Sequence, residues 1–145
     1  MSHWNRRRFL LTAAPLLLAG CAGFQPAPPD PRRAAVENLI ARLERELRSD
    51  CTDPLDWAFS PDFRDLSLVR NRWEDRWIQN QTMGLQLLPG RILENGGLLN
   101  VQVRWNRTER NRAGQFLKSA GTAEFILEPF QKEYRIRQIL GDSFF

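Results

Sequence analysis

The sequence predicts an α+β fold, in which N-terminal helices pack on one face of a curved antiparallel sheet of about four strands. Three observations point there. Apolar residues recur at three- and four-residue spacing up to about Asn80, and at alternate positions from Thr82 onward. Asp30-Pro31 and Ser60-Pro61 each have the form of a helix start. Turn-forming clusters then cut the C-terminal part of the chain into segments of strand length.

The first helix is expected to begin with Asp30 as its cap and Pro31 at its first position, where a missing N–H costs nothing. Val36, Leu39, Ile40, Leu43 and Leu47 form its dry stripe, and Glu44 can pair with Arg48 on the wet face. It should stop before Asp53-Pro54, because the residue ahead of a proline is pushed out of helical geometry. Ser60-Pro61-Asp62 predicts a short helix followed by a longer one to about Asn80. Leu66, Val69, Trp73 and Trp77 face inward on that stretch, and Arg70, Arg72, Asp75 and Arg76 face water.

In the strand region, Leu99, Val101, Val103 and Trp105 alternate with Asn100, Gln102, Arg104 and Asn106. Leu117, Ala123, Phe125 and Leu127 repeat the pattern, as do Tyr134, Ile136 and Leu140. Turns are signalled at Asn95-Gly96-Gly97, at Asn111-Arg112-Ala113-Gly114 and at Pro129-Phe130-Gln131. An earlier strand, from Met83 to Leu93, should be broken or bent at Pro89-Gly90, since proline cannot donate to a central ladder.

With 145 residues the chain has room for one globular domain. Its net charge of +4 is unevenly placed: Arg6, Arg7 and Arg8 open the chain, whereas all 17 acidic residues lie at Asp30 or later. Without residues 1–20, which hold three arginines and no acids, 18 basic residues face 17 acidic ones. That near-neutral remainder gives no argument for a nucleic-acid partner.

Residues 1–20 have the layout of a secretory signal, with a basic start and an apolar stretch from Phe9 to Gly20. Twelve residues are too few to cross a bilayer, which takes about 20. The ending Leu18-Ala19-Gly20-Cys21 resembles the bacterial lipoprotein signal. That resemblance implies cleavage before Cys21, diacylation of its sulfur by the lipoprotein-processing machinery, and attachment to a membrane through the acylated Cys21. Asn5-Arg6-Arg7-Arg8-Phe9-Leu10, with Arg6, Arg7, Phe9 and Leu10 at the key places, resembles a twin-arginine export signal. A basic start to a general secretory signal fits the same residues. Ala22, rather than Asp, after the cysteine resembles sorting to the outer membrane, which puts the domain on the periplasmic side. Residues 21–31 are rich in proline and form a tether of about 30 Å if extended. The folded domain is residues 32–145.

Over about residues 33–145 the chain resembles the nuclear transport factor 2-like superfamily. The resemblance rests on Phe59-Ser60-Pro61-Asp62-Phe63, on Val101-Gln102-Val103-Arg104-Trp105 with Gly121-Thr122-Ala123-Glu124-Phe125, and on Tyr134-Arg135-Ile136 with the ending Gly141-Asp142-Ser143-Phe144-Phe145. It implies a cone, in which the sheet curls around a pocket closed by helices. Members include enzymes, ligand carriers and interaction domains, so the fold alone decides no function.

The only histidine, His3, lies in the removable signal, which leaves the mature chain without a histidine base or the usual zinc ligand. No glycine-rich phosphate loop or metal loop is present, and no cofactor is expected. Steroid-isomerase-like members use an aspartate base with a tyrosine donor, but here the first helix has no tyrosine and Tyr134 is the only one in the chain. Trp57, Trp73, Trp77, Trp105 and Tyr134 either line a pocket for an apolar ligand or fill the core. Cys51 has no intramolecular partner once Cys21 is acylated, and is expected as a small buried hydrophobe. Arg104, Arg107, Arg110 and Arg112 are expected on a solvated hairpin end.

The expected function is therefore that of a non-catalytic lipoprotein module. It would bind a small apolar ligand, another envelope protein, or a second copy of itself through the open sheet face. The alternative is an isomerase or dehydratase with Asp62 or Asp65 as base. An open cavity with a carboxylate directed into it would favour the enzyme, and a cavity filled by Trp and Phe the module.

Overall fold

The computed structural model describes residue 28, residues 30–142 and residue 144. The signal and lipidation residues Arg6, Arg7, Phe9, Leu10, Leu18, Ala19, Gly20 and Cys21 lie outside them.

Helix α1 spans Pro31–Leu47, and the Asp30 side chain accepts a hydrogen bond from the Arg32 backbone N–H at 3.0 Å. All five residues of the predicted stripe are buried. The wet face is laced by i, i+4 pairs between Arg33 and Glu37, Arg42 and Glu46, and Glu44 and Arg48. Each contributes only a few tenths of a kcal/mol, so apolar burial holds this helix in place.

The short helix lies earlier than predicted. Helix α2 spans Pro54–Trp57, before Ser60-Pro61, so Asp53-Pro54 starts a helix as well as marking the end of the previous one. Ser60-Pro61-Asp62 instead forms a turn, in which the Ser60 hydroxyl oxygen accepts from the Asp62 N–H at 3.1 Å. The reason is tertiary. Phe59 makes a parallel bridge to Ile136, with Ser60 N–H donating to the Ile136 carbonyl (2.8 Å) and Ile136 N–H donating to the Ala58 carbonyl (2.7 Å). A residue extended against a strand cannot also open a helix. Helix α3 (Leu66–Gln79) begins only after Asp65, which sits at a left-handed φ of 61°.

Strands β1 (Asn80–Asn95), β2 (Leu98–Asn111), β3 (Phe116–Phe130) and β4 (Glu133–Gly141) form one antiparallel meander in the order β1-β2-β3-β4. β1 begins earlier than predicted and is bent rather than broken: its register with β2 shifts between Pro89 and Ile92, and pairing resumes on both sides. Pro89 is tolerated because β1 is an outer strand, paired only with β2.

Three helices thus lie on one face of a four-stranded open sheet, an α+β fold. The core joins the α1 stripe, Phe59 and Trp73 to Leu99, Val101, Val103, Phe125, Leu127 and Ile136 on the sheet. At the β1 margin, the Leu87 N–H donates to the Glu44 carboxylate of α1 at 2.9 Å.

Candidate functional site

The helix-covered face of the sheet is where a cone-type fold would hold a ligand. Along β2 the buried positions run Leu99, Val101, Val103 and Trp105, then continue at the same period to Arg107 and Glu109. The dry face therefore ends in two charged residues, 7% and 3% exposed. This corrects the expectation of a solvated basic end: Arg104 and Arg110 point outward, but Arg107 points in. The alternation already visible in the sequence, carried two steps past Trp105, would have separated them.

Charges taken out of water need partners. Helix α3 delivers Arg76, whose Nε and Nη2 donate to the two carboxylate oxygens of Glu109 at 2.5 and 2.7 Å. Arg107 Nη1 lies 3.8 Å from Glu109 Oε1. Burial is the main reason the Arg107 guanidinium is pushed down to about 10, with the Arg76 charge adding to it and Glu109 and Asp50 opposing. Arg107 Nη1 and Asp50 Oδ1 are buried with no hydrogen-bond partner among the described residues. Asp50 also sits at a positive φ of 51°.

Above this charged floor the space is filled. Trp73 packs on Trp77 (5.9 Å between centroids) and edge-on to Phe59 (6.1 Å), which is edge-on to Phe63 (4.8 Å). The cavity left between Trp73, Trp77, Leu85 and Arg107 is about 10 Å³, roughly the space of one water.

The other predicted pocket residues lie elsewhere. Trp57 and Tyr134 line a groove of about 240 Å³ between α1 and β4. There the Trp57 Nε1 donates to Glu46 at 2.6 Å, and the Arg42 guanidinium lies 3.8 Å above the ring. Trp105 covers Gly121 on the neighbouring strand and donates from Nε1 to the Asp142 carbonyl at 2.9 Å. Phe144 packs against both Trp105 (6.2 Å) and Phe125 (5.9 Å). The five aromatic residues thus fall in three places. Asp62 and Asp65 are exposed and line none of the cavities described here.

Cys51 is half-buried rather than buried. The Asp53 backbone N–H, 3.4 Å from its sulfur, favours the thiolate. The Asp53 side chain and burial outweigh that, and the thiol is pushed up, away from reactivity. Among the described residues, no group of three or more His, Cys, Asp and Glu is placed to hold a metal ion. No helix among them is long and apolar enough to cross a membrane.

No protein-family model matches the chain, and no curated protein matches it significantly.

Proposed function

We propose that the chain is a bacterial lipoprotein, anchored by an acylated Cys21 on the periplasmic side of a membrane. Its folded part is then a non-catalytic binding module of the nuclear transport factor 2-like type. The sequence Leu18-Ala19-Gly20-Cys21 supports the anchor, and Ala22 favours the outer membrane. Helices followed by a four-stranded antiparallel meander have the element order of the cone fold.

One observation carries the binding-module reading: the face that would hold a substrate is filled by Trp73, Trp77, Phe59 and the Arg76–Glu109 pair. A general base needs hydrogen-bond reach to a substrate proton. Glu109 is engaged by Arg76 through both oxygens, and Asp62 and Asp65 lie on the outer surface. With so little free interior volume, a protein surface suits this domain better than an enclosed small ligand.

Metabolic labelling with palmitate tests the anchor. Label should enter the wild type and be absent from Cys21→Ala, and equal incorporation into both would reject it. Mass spectrometry of the protein gently extracted from its native membrane tests what the module binds, because a co-extracted protein supports the protein-surface reading and an enclosed small molecule contradicts it.

A further inference from the structure

The most exposed large apolar side chains among the described residues are Ile78 (63%) and Phe116 (62%), and both line one groove. That groove, of about 520 Å³, lies where α3 runs into β1 and where the β2–β3 hairpin turns. Trp77 adds a third apolar wall. Scattered exposed apolar residues need no explanation, but a contiguous set in a concave surface does.

The groove is also charged in one sense only. Arg110 and Arg112 line it, and no acidic residue does. The groove on the outer sheet face sets Glu124 beside Arg91, and that of Trp57 sets Glu133 beside Lys132. Arg112 donates through Nε (3.1 Å) and Nη2 (2.8 Å) to the Ile78 carbonyl, which fixes the hairpin tip on the end of α3. Arg110 donates to the Gln81 side chain at 2.8 Å. Neither arginine has a carboxylate within ion-pair distance among the described residues. Their charge remains available to a partner, and the amides of Gln79, Asn80 and Gln81 along the rim suit a peptide backbone.

The position matters too. Arg32, at the start of α1, pairs with Glu94 beside the β1–β2 turn. The groove lies at the other end of β2, a strand of 14 residues, about 40 Å along the strand. The end that receives the tether and the end that carries the groove are therefore opposite.

We propose that this groove docks an extended segment of a second protein in which apolar side chains alternate with acidic ones. This rests on the binding-module reading and names the partner class, but it does not depend on the lipid anchor. Ile78, Phe116 and Trp77 would receive the apolar side chains, and Arg110 and Arg112 the carboxylates.

The test uses the full-length protein in neutral detergent, labelled at isoleucine methyl groups and titrated with a short peptide of alternating leucine and glutamate. The Ile78 methyl resonance should shift saturably, while those of Ile40 and Ile136, buried in the core, stay fixed. Phe116→Asp and Arg110→Glu should each weaken binding by about tenfold. Phe116 and Arg110 are both exposed, and an unchanged melting curve would show that folding survives; Arg110→Gln is the milder substitution and should weaken binding less. An unmoved Ile78 resonance would overturn the proposal. So would equal binding of a leucine–lysine peptide, or of dextran sulfate, which carries charge without apolar groups. Binding that maps instead to the Trp57 and Tyr134 groove would reject this docking site and leave the binding-module reading standing.

Discussion

Arg76 on α3 holds Glu109 on β2 by both carboxylate oxygens, at 2.5 and 2.7 Å, across the boundary between helix layer and sheet. The acceptor is almost fully buried and the donor only partly. Helix α3 makes few contacts with the sheet compared with α1. The directional ionic pair adds to the apolar anchoring that buried Val69 and Trp73 give α3.

Removing the acid leaves two guanidinium groups, Arg76 and Arg107, facing one another without the charge that separates them. Glu109→Ala should lower the unfolding free energy by about 3 kcal/mol. Urea denaturation followed by tryptophan fluorescence measures it, and a loss under about 1 kcal/mol would show that α3 is held by packing alone.

Arg107 is the converse case, since it is buried with one donor unsatisfied while Glu109 already has a partner. Arg107→Met should stabilise the fold by about 1–2 kcal/mol. The folded chain holds the Arg107 proton more weakly than the unfolded chain does, so the charged side chain penalises folding fully below pH 10. Above it, the unfolded state binds more protons, and the penalty shrinks as pH rises. The stability gap between Arg107→Met and wild type should accordingly narrow above pH 10, and a gap that stays constant or widens would count against the burial of the charge.

Gly121 lies directly beneath the indole of Trp105. A Cβ there would come within 2.8 Å of the ring and 2.7 Å of the Asp142 Cβ. Gly121→Val should cost about 1–3 kcal/mol by displacing Trp105. It should also alter the near-ultraviolet circular dichroism, and an unaltered spectrum would show that the ring is not seated there.

Glu44 spends one oxygen on the Leu87 N–H. In Glu44→Ala that donor loses its acceptor, at a cost of about 1–3 kcal/mol. Amide exchange should accelerate at Leu87 and not at Val101, which lies inside the sheet. Uniform acceleration would indicate general destabilisation instead.

Periodicity made much of this architecture legible. The α1 stripe, the β2 positions Leu99 to Trp105, Ala123, Phe125 and Leu127 on β3 and the turns at Gly96 and Gly114 follow from local chemistry and appear where that chemistry puts them. Leu117 and Leu140, by contrast, were expected on the dry face and are exposed. The displaced short helix was not legible, because Ser60-Pro61 looks like a helix start until Ile136 claims its neighbour from far along the chain. The aromatic residues dispersed for a related reason: spacing assigns Trp57, Trp73 and Trp105 to inward or outward faces, but not to one end of the fold or the other. The charged floor was written in the alternation of β2 and obscured by the neighbouring arginines.

The Phe59–Ile136 bridge also governs the order in which the chain can fold. Residues 58–60 are synthesised before any strand, yet their hydrogen bonds are completed by the last strand made. An N-terminal fragment that lacks β4 cannot make these bonds, and closing them joins residues far apart in the chain. The bridge therefore cannot form until β4 has been synthesised. A twin-arginine route would then transport a domain completed in the cytoplasm, whereas a general secretory route would intercept the chain before β4 could close it.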